Sequence, residues 1–136
     1  MGTQYSGTSL SKKLGIKSGM NYMLHNAPDY YFQLFDDWPE ATLLATKLKD
    51  ESLDFIHLFC YNLEDLSTYY TTYKSSLKKG GSLWISWPKK NSNIKTDIDG
   101  NLVRAYILNN GLVDVKVAAI NDTWSGLKAV YRLKDR

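Results

Sequence analysis

The stretch Leu53-Asp-Phe-Ile-His-Leu-Phe-Cys60, together with the segment from Asn62 to Gly80 behind it, decides the fold. A near-continuous apolar run of that length fits a strand covered on both faces, as in a parallel sheet. Asn62 then reads as a helix N-cap, with Glu64 and Asp65 in the first turn, where the helix dipole favours anions. Leu63, Leu66, Tyr69, Tyr70, Tyr73 and Leu77 share one stripe at the 3.6-residue period, Lys78 and Lys79 suit the negative end, and Gly80 is the expected stop.

Toward the N-terminus, Asn21 to His25 reads as a first strand, preceded by a short helical turn carrying Leu10 and Leu14 and by a bend between Gly15 and Gly19. Pro28 is suited to the first turn of a helix bearing Tyr31, Leu34, Phe35 and Trp38, which Pro39 ends. Ala41 to Thr46 is a short apolar run and a second strand, while residues 1–9 are polar and read as a loose end.

Toward the C-terminus, Ser82 to Trp87 is a strand ended by Pro88, with the trans isomer as the default for that proline. A polar loop runs from Lys89 to Lys95, and a helix capped by Thr96 or Asp97 continues to Asn110, closed by Gly111. Leu112 to Ile120 and Gly126 to Arg132 form an antiparallel pair joined by residues 121–125. Strand-helix alternation of this kind predicts an α/β fold: a three-layer αβα sandwich with a mostly parallel sheet, closed by an antiparallel C-terminal hairpin. At 136 residues one domain, 1–136, is expected.

Composition limits the function classes. With 43% hydrophobic and 23% charged residues the chain is of ordinary globular type, which excludes a disordered or fibrous protein. The net charge of +3 is too small to demand nucleic acid or an anionic membrane as partner. A single cysteine, Cys60, excludes an internal disulfide and a multi-thiolate metal site within one chain; with only His25 and His57 as imidazoles, no metal is expected. Neither a signal-type apolar segment nor a spanning segment is evident, so a cytoplasmic protein is expected.

Three stretches carry a family resemblance. Leu14-Gly-Ile-Lys-Ser-Gly-Met20 resembles the lead-in to the first strand of class I S-adenosylmethionine-dependent methyltransferases. Leu48-Lys-Asp-Glu-Ser-Leu-Asp-Phe55 resembles the approach to their fourth strand, and Leu77-Lys-Lys-Gly-Gly-Ser-Leu83 the turn before their fifth. More narrowly, Ser86-Trp-Pro-Lys-Lys90 and Thr123-Trp-Ser-Gly-Leu-Lys128 resemble a small bacterial family of unknown function. The first resemblance implies a Rossmann-like, methyltransferase-like sheet, here shortened by about one strand-helix unit between Thr42 and Leu53. It also implies a Gly-rich turn after the first strand, where only glycine lets the backbone approach the cofactor so closely, and an acid after the second strand. This chain has Leu24-His-Asn-Ala-Pro28 at the first place and Lys47 near the second, so no cofactor is expected and S-adenosylmethionine lacks its usual seat.

Ligands of open parallel sheets lie beyond the C-terminal strand ends, where the strand order reverses. The loops due there offer His25 and Asn26, then Trp87, Lys89 and Lys90, then Trp124 and Ser125 as candidate ligand-binding residues. Indole, ammonium and amide groups in that mix suit a small anionic or aromatic molecule. Each has an alternative: solvated lysines behind a strand-ending proline, Trp124 folded back over the sheet, and Cys60 as a small hydrophobe. His57 reads as a neutral, hydrogen-bonded core imidazole, and the tyrosines at 69, 70 and 73 as a core-facing stripe. The leading expectation is a binding or interaction module that has lost the usual cofactor loop. Its alternative is an enzyme on a small anionic or aromatic molecule, including a divergent methyltransferase. A homodimer through tryptophan-rich loops or a sheet edge near Ala41 to Thr46 is a third possibility, and a nucleic-acid partner is disfavoured.

Overall fold

A computed structural model describes residues 8–136; most of the stretch 1–9 read as a loose end lies outside the described residues. The elements are α1 (Leu10–Leu14), β1 (Asn21–His25), β2 (Leu43–Leu44), β3 (Leu53–Phe59), α2 (Leu63–Tyr73), β4 (Leu77–Pro88), α3 (Gly100–Asn109), β5 (Leu112–Ala119) and β6 (Trp124–Tyr131). They build one six-stranded sheet in the order β2-β1-β3-β4-β6-β5. The first four strands are mutually parallel, and β6 is antiparallel to both β4 and β5. An α/β sheet closed by an antiparallel C-terminal pair is what the strand-helix alternation predicts. No helix among the described residues is long and apolar enough to cross a membrane.

The central strand explains the two-sided core. Phe55 and Phe59 of β3 enter a cluster with Leu14, Tyr22, Tyr31, Trp84 and Trp124 on the α1 face. Ile56 and Leu58 enter a second cluster with Leu66, Ile85, Val103 and Ile107 on the α2–α3 face. Alternate side chains of one strand thus serve two layers, and each buried aliphatic contributes about 1.5–3 kcal/mol. His57 lies on the α1 face, fully buried, with Nδ1 2.9 Å from the Tyr31 hydroxyl and Nε2 2.8 Å from Ser86 Oγ. Asp54 joins the opposite strand ends: one oxygen accepts the Asn21 N–H at 2.9 Å and the other sits 3.0 Å from Lys78 Nζ.

Four expectations are corrected. The segment after Pro28 forms only a 3-10 turn at Tyr31–Leu34, not a helix reaching Trp38. Its rings have been drawn into a knot in which Tyr31, Phe32 and Phe35 all pack edge-on or tilted against one another or against Trp38, and that packing outweighs helical propensity. The second strand shrinks from Ala41–Thr46 to Leu43–Leu44, since Ala41 takes a φ of 61° and bends out of the sheet. Gly80 does not stop α2; the helix ends at Tyr73, and Gly80 lies in a bulge where residues 78–81 of β4 face Asp54 alone. Neither Thr96 nor Asp97 caps α3, because Asp99 does so through Leu102 N–H at 2.9 Å. Gly111, at φ 98°, does close that helix as expected.

Candidate functional site

Strand order reverses between β1 and β3, so their C-terminal ends mark the crevice where such sheets receive ligands. β1 ends at His25, and Asn26 follows in the left-handed region at φ 60°. That conformation is usual for glycine, and asparagine is among the few other residues that adopt it readily. Its side chain then turns across the crevice, where Nδ2 donates to the Phe59 carbonyl at 3.2 Å. The chain continues through Ala27 and Pro28, whose carbonyl accepts the Tyr31 N–H at 2.9 Å, into the short 3-10 turn. Among the described residues no α-helix N-terminus therefore follows β1 at this crevice, and with it goes the fixed positive end that such sites use on anions.

The neighbouring strand also falls short. β2 pairs with Asn21 and Tyr22, and among the described residues no strand pairs with Leu24 and His25 on that side. Thr46 and Lys47, both exposed, follow it.

Above the crevice the loops are tied to one another. The Tyr30 hydroxyl accepts from Asn121 Nδ2 at 3.2 Å and from Trp124 Nε1 at 3.1 Å. Asn121 Oδ1 in turn accepts the N–H groups of Thr123 and Trp124. Trp124 is 3% exposed, edge-on to Phe59 at 5.0 Å and to Tyr61 at 5.3 Å. The hairpin is thus tighter than the loop expected over 121–125, because Trp124 and Ser125 already belong to β6.

The candidate residues fall on two faces rather than into one pocket. His25, Trp87 and Ser125 lie toward α2 and α3. Trp87 is buried there beneath Gly100, where even a methyl group would sit 3.4 Å from the indole, and Ser125 pairs with Trp87 in the ladder. Trp124 packs on the opposite face. Lys89 is half-buried, its N–H bonded to the Thr123 carbonyl at 2.8 Å, while Lys90 is exposed in the 3-10 turn after it.

A polar cluster that the sequence did not single out surrounds His25. Its Nδ1 is 2.6 Å from the Tyr73 hydroxyl, and its ring lies 4.1 Å from that of Tyr69. Burial lowers the imidazole pKa below its ordinary value by more than Asp65 raises it, which favours the neutral ring. Burial, with Asp65 adding to it, pushes the adjacent Cys60 thiol up to about 12, which makes it an inert thiol rather than a nucleophile. The signal for this cluster lay in the spacing of Tyr69 and Tyr73, one helical turn apart on the stripe facing the sheet.

Side chains cap most of the α2 N-terminus beside it. Asn62 Oδ1 accepts the Asp65 N–H at 2.8 Å, Asp65 Oδ2 accepts the Tyr61 N–H, and Asp97 reaches from the loop before α3 to accept the Leu63 N–H at 2.8 Å. Tyr61, Asn62, Lys95, Thr96 and Asp97 line a cleft of about 260 Å³ there. Among the described residues no group of His, Cys, Asp and Glu side chains is arranged to hold a metal ion.

With this geometry in view, comparison with solved structures is informative. A chain described as a type 11 methyltransferase from Sulfolobus solfataricus matches 90% of this chain and 89% of its own length, at 14% identity and a TM-score of 0.63. The fold is methyltransferase-like. A SAM dependent methyltransferase from Aquifex aeolicus matches 88% of this chain and 86% of its own, at 17% identity and a TM-score of 0.55. DhpI, solved in complex with SAH, matches 94% and 84%, at 7% identity and 0.59. No family model and no curated protein matches the chain. At these identities the methyltransferase-like likeness speaks for the scaffold alone.

Proposed function

We propose that this methyltransferase-like domain is a non-catalytic binding or interaction module. The observation that carries the reading is the Asn26 amide on the Phe59 carbonyl, which spans the crevice at the strand-order reversal. S-adenosylmethionine in its usual seat needs a bare backbone bend, a helix N-terminus behind it and an acid on the neighbouring strand. The residues present do not fit that group. The bend carries an amide side chain and Pro28, a 3-10 turn replaces the helix, and the neighbouring strand stops at Leu44, with Thr46 and Lys47 beyond it rather than an acid. What remains on this face is a rim with exposed Tyr61 and Lys90, half-buried Lys89 and the Lys95 cleft, which suits a small anionic or aromatic molecule or a protein segment of that character.

Titration calorimetry with S-adenosylmethionine and its demethylated product tests this. No heat of binding up to millimolar cofactor is the expected outcome; micromolar affinity, with amide shifts at residues 25–28, overturns the proposal.

A divergent methyltransferase is the second reading, favoured by structural neighbours that include one solved with SAH. In that case the His25–Tyr73 pair is the group placed to handle a proton at the strand ends. The same titration separates the two readings, because the second requires binding.

A further inference from the structure

We propose that the β2 edge of the sheet is a self-association surface, on which a second copy of this chain pairs antiparallel. The proposal does not depend on the reading of the crevice, which lies at the other side of β1.

β2 is an outermost strand of the sheet and is two residues long. Leu43 is 64% and Leu44 53% exposed, and as consecutive strand residues they point to opposite faces. Phe32 and Leu48, also exposed, add further apolar surface in the two segments that flank β2 in sequence. Edges left open to solvent are ordinarily protected by shortness, charge, proline or a bulge within the strand; β2 is short, and within it the side chains are only leucines.

The hydrogen-bonding side is equally specific. Leu43 N–H is held by the Met20 carbonyl at 2.9 Å and Ala45 N–H by the Tyr22 carbonyl at 2.8 Å, so both face β1. By strand alternation Leu44 then turns its N–H and C=O out of the sheet. Two copies related by a two-fold axis through Leu44 exchange this pair of bonds and bring each Leu43 opposite the partner's Ala45.

Charge selects the antiparallel partner. The chain enters β2 through exposed Glu40 and leaves it through exposed Lys47 and Lys49. Asp50 and Glu51 have already turned away, with the Glu51 N–H on the Ser75 carbonyl at 2.9 Å. A two-fold axis sets the acidic approach of one copy against the basic exit of the other, twice; a parallel pairing would set like against like. Two sheets become one continuous sheet, and the outward N–H and C=O of each Leu44 gain partners.

Sedimentation equilibrium across about a hundred-fold range of protein concentration reads the association directly. The expected result is a reversible species of twice the 15.5 kDa chain mass. Leu44→Lys, at an exposed position that leaves the fold intact by circular dichroism, should render the protein monomeric throughout. Glu40→Lys alone should raise the dimer dissociation constant about tenfold, and adding Lys47→Glu should recover part of it. Hydrogen exchange should slow at Leu44 in the associated form only. A monomer at every concentration overturns the proposal, as does a dimer indifferent to Leu44→Lys, which would place the contact elsewhere.

Discussion

Asn26 Nδ2 donates to the Phe59 carbonyl at 3.2 Å from a backbone held at φ 60°, so one residue both makes the bend after β1 and spans the crevice beside it. The two roles are separable by substitution. Asn26→Gly keeps the left-handed bend at no steric cost and removes only the amide, so stability should fall by no more than about 1 kcal/mol. Asn26→Ala loses the bond and also strains the bend, and should cost about 2 kcal/mol. Urea midpoints for the two variants check this. A larger loss for glycine than for alanine would mean that the bend is not under conformational demand.

His57 makes the protein sensitive to acid. Its imidazole is fully buried between the Tyr31 hydroxyl and Ser86 Oγ, and burial depresses its pKa to about 3. The unfolded chain titrates this group near 6.5. Between those values the unfolded state binds the proton and the folded state does not, so stability falls as pH drops from about 6.5 toward 3. The loss is of order 1.4 kcal/mol per pH unit from this group alone. His57→Phe should remove that share of the acid slope while costing about 1–3 kcal/mol at neutral pH, because the two hydroxyls lose their partner. Parallel slopes for the variant and the parent between pH 6 and 4 would contradict the assignment.

What the sequence made legible was whatever one strand or one helix decides by itself. The apolar run at Leu53–Phe59 declared a strand covered on both faces, Asn62 declared its helix, and Gly111 declared an end. His57 was readable as a core imidazole because its neighbours on both sides are apolar. The failures lie where distant groups decide. The ring knot of Tyr31, Phe32, Phe35 and Trp38 has helical spacing, yet edge-on contacts among the rings fix a 3-10 turn. Asp97 reads as the cap of the helix that follows it, but it caps α2, 34 positions back in the chain. At the crevice, the absence of glycine was legible and its geometric meaning was not: Asn26 supplies the glycine-like backbone and then fills the space that glycine would have left.

That borrowed cap is testable on its own. Asp97 Oδ1 accepts the Leu63 N–H at 2.8 Å, while Asp99 caps α3 through Leu102 N–H. Asp97→Ala should therefore cost about 1 kcal/mol, as much as Asp99→Ala, although Asp97 lies outside both helices. The distinguishing readout is local. In Asp97→Ala hydrogen exchange should accelerate over residues 63–65, and in Asp99→Ala over residues 102–103. Acceleration confined to α3 in both variants would show that the contact to α2 carries no stability.

The adjacent glycines in the β4 bulge should respond oppositely to the same change. A methyl group at Gly81 would lie 3.0 Å from the carbonyl oxygens of both Leu53 and Asp54 and 2.9 Å from Leu77 Cδ1. The leucine methyl can swing aside, but the two carbonyls belong to β3 and cannot move without disturbing the parallel ladder. Gly81→Ala should accordingly destabilise the protein by about 1–3 kcal/mol. At Gly80 nothing lies within 4 Å of the added methyl, and its φ is not positive, so Gly80→Ala should be neutral or slightly stabilising through the reduced entropy of the unfolded chain. Had Gly80 been the left-handed helix stop its position suggests, alanine there would cost about 1 kcal/mol. Thermal melts of the two variants thus distinguish a bulge in β4 from a helix end, and a destabilised Gly80→Ala beside a neutral Gly81→Ala would reverse the assignment.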